Sequence, residues 1–530
     1  MSDFICTNEE PIVSVKQGKL KGYYFKGVYR FFGVQYARAR RFEMPNEPRS
    51  YEGIRNANAY GYICPVLSSP APSDEISVPH RFWPENEHCQ NLNIFTDSLD
   101  ETRKKPVLVW LHGGGFSAGS AIEQIAYDGD SLAKNDDVVV VTVNHRLNAF
   151  GFLDVSAFGE KFRYSGTVGL ADIVAALQWI HENIAVFGGD PENVTIFGQS
   201  GGGHKVWALG QIEAADGLFH KGIIMSGVSA DTTNAPGLVS GEEFARKVMK
   251  FAGIETIEEL QKLHYQLYIM AVNKASAFFG RQGKRYAWEP VANGYFYGNP
   301  FSVGFRDHFL DIPTIVGTCA SDIALPETTP GRLQLSEEEQ ILKVCEFFGD
   351  EEKGRKMAEL FKKAYPGRPV IFAKCMDMVF TKDSDRFVRE KAAAGRAPVW
   401  RYQFGPVFDI DGGKSAWHCS DIGFAFHNSE ILPYCYAISY RERLEKEFCQ
   451  AVVSFARTGD PNHEALPEWK NSSKEDVYTM FFDEKTEARV NFDNEALAYF
   501  LDNMPRGNGR PWREKTEGPD DEPPVGSWAY

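Results

Sequence analysis

The stretch VTIFGQSGGG, residues 194–203, decides the fold class of this chain. It places Gly198, Ser200 and Gly202 in the pattern Gly-x-Ser-x-Gly, after a short apolar run and before a segment with helical character. A serine on a tight strand-to-helix turn holds its hydroxyl above a sheet, where it can act as a nucleophile, and small neighbours make the turn possible. The alternative is a plain glycine-rich turn with a surface serine, and the strand–turn–helix context makes it the weaker interpretation.

Apolar runs on both sides of this stretch predict the rest of the sheet. Alternating short segments near the N-terminus, such as PIVSVKQGKLKGYYF (11–25), predict antiparallel strands. Residues 170–187 have the spacing of an amphipathic helix. The runs that predict buried strands are KPVLVWLH (105–112), VVVVTV (138–143), KGIIM (221–225), IPTIVG (312–317) and VWRYQF (399–404), the last of which we expect to be the final strand. Strands that alternate with helices indicate an α/β protein with a mostly parallel central sheet flanked by helices, and the serine turn makes it an α/β-hydrolase fold.

Two helical blocks interrupt the predicted sheet. They cover approximately residues 230–310 and 330–395, and we expect them to be cap insertions in a single catalytic domain that spans residues 1–504. Residues 505–530 are rich in Gly, Pro and charge and predict an extended C-terminal tail.

The segment LHGGGF, residues 111–116, predicts an oxyanion hole. An ester carbonyl oxygen gains negative charge in the tetrahedral intermediate, and glycine lets backbone N–H donors approach it closely. We expect the donors to be the amides of Gly114, Gly115 and Gly201. A phosphate-binding loop would need a Lys-Ser/Thr pair that does not follow here, and a mere turn does not account for the Gly-x-Ser-x-Gly pattern further along the chain.

The general base follows from the order of an α/β-hydrolase, which is serine, then acid, then histidine. Three histidines lie well beyond the helical blocks: His418, His427 and His463. His418 is the best candidate, because it follows the predicted final strand in a loop that can reach back over Ser200. His204, one helical turn after Ser200, is expected to pack or hydrogen-bond locally instead.

Asp322 is the best candidate for the acid that orients the base. It lies five residues after Gly317, at the end of the IPTIVG strand. Weaker candidates are Asp409, Asp411 and Glu327.

Composition and charge narrow the function classes. A formal net charge of −15 repels polyphosphate and makes nucleic-acid binding improbable. No apolar run reaches the ~18 residues of a membrane span, the N-terminus lacks the basic start of a secretory signal, and nine cysteines are too sparse for a disulfide scaffold. We therefore expect a cytoplasmic monomer or weak homo-oligomer that acts on a small-molecule ester and needs no metal or cofactor.

The chain resembles the type-B carboxylesterases, the α/β-hydrolase family that includes cholinesterases and bacterial para-nitrobenzyl-type esterases. The motifs that carry this resemblance run over nearly the whole chain: FFGVQYA (31–37), CQNLNIFT (89–96), the HGGGF segment, VVVVTVNHRLNAFGFL (138–153), the segment 169–203, GLFHKGIIMSG (217–227) and SFARTGDPN (454–462). The resemblance implies that the nucleophile, acid and base are Ser200, Asp322 and His418, in agreement with the interpretation of the residues themselves.

Several positions depart from the family pattern. The family usually has Glu where this chain has Asp322, Glu where it has Gln199 and Ala where it has Gly201. The neutral Gln199 weakens any case for a cationic choline substrate. The resemblance also implies that Cys64 and Cys89 match the family's first disulfide pair, which we expect to stay reduced in a cytosolic setting, and that Arg41 and Glu87 form a structural ion pair.

The sequence thus predicts a serine carboxylesterase that forms an acyl-enzyme on Ser200. Two alternatives stay open: a non-catalytic adhesion or recognition protein on the same fold, and an amidase, lipase or thioesterase with the same triad. Five aromatic residues are candidates for lining the acyl pocket, and core packing is an equal alternative for each of them. They are Trp83, Phe116, Phe278, Phe279 and Phe424.

Overall fold

The computed structural model describes residues 3–67, 80–233 and 235–505. Its strands are β1 (Phe4–Ile5), β2 (Ile12–Val15), β3 (Gly18–Lys21), β4 (Tyr23–Phe25), β5 (Val28–Gln35), β6 (Ile54–Asn56), β7 (Asn91–Thr96), β8 (Lys105–Leu111), β9 (Val139–Val143), β10 (Gly189–Gln199), β11 (Lys221–Met225), β12 (Thr314–Cys319), β13 (Val399–Phe404), β14 (Val407–Phe408), β15 (Lys414–Ser415), β16 (Tyr478–Phe482) and β17 (Glu487–Val490).

Its α-helices are α1 (Asp130–Asn135), α2 (Asn148–Gly151), α3 (Val168–Asn183), α4 (Gly201–Gly210), α5 (Gly241–Ala252), α6 (Ile257–Lys262), α7 (Tyr265–Arg281), α8 (Pro300–Val303), α9 (Asp307–Leu310), α10 (Glu337–Phe348), α11 (Glu351–Ala364), α12 (Thr381–Ala393), α13 (Ile422–Ala425), α14 (Arg441–Thr458) and α15 (Asn494–Asn503).

Twelve strands form one sheet in the order β1-β4-β5-β7-β9-β8-β10-β11-β12-β13-β16-β17. Seven consecutive strands pair with one another in parallel: β9, β8, β10, β11, β12, β13 and β16. On either side of them, β7, β5, β4 and β1 at one edge and β17 at the other are added by antiparallel pairing. The predicted mostly parallel α/β-hydrolase sheet, with antiparallel strands from the N-terminal part, is confirmed.

The central strand β8 explains why the sheet is buried on both faces. Its side chains alternate, so Val107, Val109 and Leu111 face a core formed with α3 and α4. Leu108 and Trp110 face a second core, which is formed with α14. A continuous apolar run is what a strand between two helical layers requires.

The helices α5 to α9 lie in the connection between β11 and β12, and α10 to α12 lie in the connection between β12 and β13. These positions correspond to the two helical blocks expected from the sequence. The assignment of residues 1–504 to one catalytic domain with two caps stays a prediction, and the expected tail from residue 505 lies, except for its first residue, outside the described residues.

The prediction that VWRYQF is the final strand is wrong. After β13, the chain adds β16 in parallel register and β17 in antiparallel register to the same sheet. The segment of β16, YTMFF, is mostly apolar and lies between the polar stretches 470–476 and 483–487. Its pairing with β13 lets four of its residues become buried.

Candidate active site

Ser200 stands at the turn between β10 and α4, with φ +58° and ψ −124°. This strained backbone conformation is the one that a sharp strand-to-helix turn imposes on its serine. The glycines beside it are required by space, because a Cβ on Gly202 would lie 1.9 Å from the carbonyl oxygen of Leu111. The turn is held by hydrogen bonds from Ser200 N to Met225 O (2.8 Å) and from His204 N to Ser200 O (3.0 Å).

The glycine-rich loop after β8 lies against this turn. Gly114 and Gly115 have φ +83° and +62°, a region that glycine enters without steric cost. A Cβ on Gly113 would lie 3.6 Å from the Ser200 Cβ, and one on Gly201 would lie 2.2 Å from the carbonyl oxygen of Gly115. The structure therefore brings Gly115 against Gly201, the residue after Ser200, and Gly114 lies between Gly113 and Gly115 in the same loop.

Asp322 and His418 form a hydrogen-bonded pair. Asp322 follows the end of β12 and its side chain is fully buried. Its Oδ1 accepts from His418 Nδ1, and its Oδ2 accepts from Cys319 N at 2.9 Å. The backbone also joins the two residues, because His418 N donates to Asp322 O at 3.1 Å. The carboxylate is therefore fixed from two directions and in turn fixes the orientation of the imidazole.

Gln199 links His418 to the serine turn. Its Nε2 lies 3.2 Å and 3.3 Å from the two ring nitrogens of His418, and its Oε1 accepts from Cys419 Sγ at 3.1 Å. On another side the Phe380 ring stacks on the His418 ring, with centroids 5.3 Å apart and planes 6° from parallel. The imidazole is thus held by a carboxylate, an amide and an aromatic face.

Two further buried carboxyls lie near Asp322. Burial, and then the charge of Asp322, raise the pKa of Asp377 to about 6. Burial also raises the pKa of Asp421 to about 6, although a hydrogen bond from the Tyr402 hydroxyl (2.7 Å) opposes the shift. Among the groups that act on Asp421, the charge of His418 favours the ionised form of this carboxyl and so lowers its pKa.

The other candidate residues have partners elsewhere. His427 Nδ1 pairs with Asp136 at 2.8 Å, and His463 Nε2 lies 2.9 Å from Glu447 O. Among the weaker acid candidates, Glu327 pairs with Lys374, the Asp411 carbonyl accepts from Arg332, and Asp409 N donates to Ala437 O.

His204 hydrogen-bonds locally, as expected. Its Nδ1 lies 3.3 Å from Ser200 O and its Nε2 lies 2.8 Å from Ser229 Oγ. Burial of the ring lowers the pKa of His204 to about 4, so the side chain is neutral at physiological pH.

A cavity of about 470 Å³ opens beside Gly115 and His204. Its aromatic lining consists of Phe116, Trp207, Tyr286, Trp288 and Phe296. Its polar lining includes Asp231, Thr232, Thr233, Arg285, Glu289, Asn299 and Ser302. Of the aromatic residues suggested from the sequence, Phe116 lines this cavity, whereas Phe279 and Phe424 are buried in the core.

Several residues around His418 carried no sequence signal. Asp377 accepts from Val379 N (3.1 Å) and Phe380 N (2.8 Å), and so fixes the segment that presents the Phe380 ring. These residues come from the helical block between β12 and β13, and neither motif nor periodicity relates them to the serine turn.

Comparisons with known proteins agree with this fold. The chain matches the Carboxylesterase family over residues 9–500, so it belongs to that family. It is 32% identical to para-nitrobenzyl esterase of Bacillus subtilis over 492 residues, which cover 89% of this chain and 94% of that protein. An esterase structure from Clostridium hathewayi, described as able to hydrolyse aliphatic aromatic polyesters, matches with a TM-score of 0.89 and 42% identity, covering 94% of this chain and 99% of that one. A carboxylesterase structure from Geobacillus stearothermophilus matches with a TM-score of 0.68 and 32% identity, covering 92% and 99%.

The chain is accordingly a carboxylic ester hydrolase whose substrates are small-molecule esters. The alternative of a non-catalytic adhesion protein is set aside. Within the part of the chain that the structure describes, every helix is too short or too polar to cross a bilayer.

Proposed function

We propose that Ser200, His418 and Asp322 form a catalytic triad and that the amides of Gly114, Gly115 and Gly201 form the oxyanion hole. The hydrogen bond between Asp322 and His418 is the observation that carries the triad, since it holds the imidazole in the orientation a base needs. The position of the glycine loop against the serine turn supports the oxyanion hole.

Hydrolysis proceeds in two acyl transfers. His418 takes the proton of Ser200 as the serine oxygen attacks the ester carbonyl, and the loop amides hold the oxyanion. His418 then gives the proton to the leaving alcohol. Water, activated by the same imidazole, releases the acid and frees Ser200. Asp322 holds the imidazole in its orientation and stabilises the imidazolium in both halves.

Replacement of Ser200 tests this mechanism. Ser200→Ala is expected to lower kcat on para-nitrophenyl butyrate by about 10⁴-fold or more with unchanged thermal stability. Ser454→Ala, on the partly buried face of α14, is the matched control and keeps full activity. Activity of Ser200→Ala close to that of the wild type would exclude Ser200 as the nucleophile.

The substrate proposal is an ester of an aromatic carboxylic acid that carries a polar group. The cavity beside Gly115 supports it, because its lining combines aromatic rings with hydroxyl, amide and charged groups. The similarity to the Clostridium hathewayi esterase, whose described substrates are aliphatic aromatic polyesters, also supports it. Bis(2-hydroxyethyl) terephthalate is a suitable probe, and Trp288→Ala is expected to raise its KM more than that of para-nitrophenyl acetate. Equal effects on both substrates would contradict the assignment, and matched amides and thioesters in the same panel address the remaining alternatives.

A cytoplasmic location and a monomeric or weakly associating state are also proposed. The sparse and irregularly spaced cysteines of the sequence support a reducing compartment. Thiol titration of the denatured protein, purified without reductant, is expected to count all nine cysteines, and light scattering is expected to give the mass of one chain.

A further inference from the structure

Lys205 is a buried lysine directly behind the glycine-rich loop. It lies on α4, five residues after Ser200, and its side chain is 0% exposed. Its Nζ donates to the carbonyl oxygen of His112 at 2.8 Å. Across residues 3–67, 80–233 and 235–505, no carboxylate forms an ion pair with this ammonium, although the charge of Glu123 acts on it.

Two histidines lie close to Lys205, and neither offsets its charge. The rings of His112 and His145 stack beside each other, with centroids 5.1 Å apart. Both are fully buried, and burial, reinforced by the Lys205 charge, holds the pKa of each well below its usual range. Both are therefore neutral. Burial also lowers the pKa of Lys205 to about 7. Keeping a lysine here costs stability that a well-packed apolar side chain would not cost.

The contact with the glycine-rich loop explains why the chain keeps a buried lysine at this position despite its cost in stability. His112 is the residue before Gly113, so its carbonyl belongs to the same rigid peptide plane as the Gly113 N–H. The three glycines that follow have no side chains to fix them, and glycine keeps the most backbone freedom of any residue. A hydrogen bond to the His112 carbonyl fixes the peptide from which the loop starts.

We propose that Lys205 is a positioning residue, which fixes the glycine-rich loop through the His112 carbonyl so that the loop amides face the ester oxygen. This rests on the proposed oxyanion hole. A donor displaced by about 1 Å loses a large part of its effect on the transition state, so the contribution of Lys205 appears in kcat and not in substrate binding.

The chain offers a matched control in Lys391. This lysine, on α12, is 1% exposed, and its Nζ likewise donates to a backbone carbonyl, that of Phe309. Burial lowers its pKa to about 7 as well. Phe309 belongs to α9, outside the residues that contact the serine turn, so Lys391 shares the burial of Lys205 but not its contact with the loop.

Lys205→Met and Lys391→Met are compared with the wild type. For Lys205→Met we expect kcat to fall about tenfold to a hundredfold with KM nearly unchanged. A trifluoromethyl ketone forms a tetrahedral adduct on the serine, and we expect its Ki to rise by the same factor by which kcat/KM falls. The Tm is expected to be equal or higher, since a buried charge is removed. Lys391→Met is expected to show the same change in Tm with unchanged kcat and Ki.

The proposal is overturned if Lys205→Met keeps the kcat and Ki of the wild type. It is also overturned if the variant melts well below the wild type or does not fold, because Lys205 is then a packing residue. A burst of para-nitrophenol from the wild type, equal to the enzyme present, is measured in parallel. Absence of that burst, together with no adduct on Ser200 after treatment with a fluorophosphonate, is a failure of the proposed triad. It is thereby distinct from a failure at Lys205.

Discussion

Gly201→Ala is a sharp test of the site geometry because it adds one methyl group between the serine turn and the glycine-rich loop. The new Cβ would lie 2.2 Å from Gly115 O, 2.4 Å from Gly115 Cα and 2.5 Å from Gly115 C. All three are backbone atoms, and ordinary contact begins at 3.4 Å. The loop must therefore retreat by about 1 Å, a displacement that costs roughly a hundredfold when it moves a group that stabilises the transition state.

The expected result is a fall in kcat of about tenfold to a hundredfold with little change in KM, measured with para-nitrophenyl butyrate. Alanine is a good helix former, so a loss of α4 is not the cause. Gly280→Ala in α7 is the control, since nothing lies within 4 Å of its Cβ position. It should keep full activity and gain up to about 1 kcal/mol of stability. An unchanged kcat in Gly201→Ala would refute the close approach of loop and turn, even though alanine is the usual residue in the family pattern.

Three further predictions follow from other contacts. Asp322→Asn is expected to lower kcat by about 10³- to 10⁴-fold while the protein stays folded, because an amide no longer selects the imidazole tautomer or stabilises the imidazolium; a loss below tenfold in steady-state assays would contradict this. Gly202→Ala is expected to prevent folding, judged by soluble yield and circular dichroism, because its Cβ would lie 1.9 Å from Leu111 O; a folded, active variant would contradict the turn geometry. The hydrogen bond to Asp136 raises the pKa of His427, so its stabilising effect is complete below the ordinary value of about 6.5 and is lost as the pH rises through the raised value. The gap in Tm between wild type and His427→Gln should therefore be wide at about pH 5.5 and narrow at about pH 8.5, and a gap independent of pH would contradict the pairing.

The sequence predicts those parts of the molecule that depend on local pattern. The run 105–112 becomes β8 because an unbroken apolar strand fits only between two helical layers. The turn at Ser200 forms because glycines on both sides leave room for the Leu111 carbonyl. The pairing of Asp322 with His418 follows from chain order, since both loops leave neighbouring parallel strands, β12 and β13, at the same edge of the sheet.

Other features depend on packing between segments that are distant in the sequence. Phe380 stacks on His418 only because the block between β12 and β13 folds back over the sheet edge. The contact of Lys205 with His112 joins residues 93 positions apart, and a lysine on a helix ordinarily indicates a solvent-exposed face. The strand β16 is short and flanked by polar residues, so its place in the sheet depends on pairing with β13. None of these contacts has a spacing or composition that marks it in advance.

The central claim is that ester hydrolysis passes through a covalent intermediate on Ser200. The most direct measurement is to react the enzyme with a fluorophosphonate, digest it and locate the adduct by mass spectrometry, with residual esterase activity followed in the same sample. The account predicts one adduct per chain, on Ser200, and loss of activity in proportion to labelling. An adduct on a different residue, or complete loss of activity with Ser200 unmodified, would contradict it.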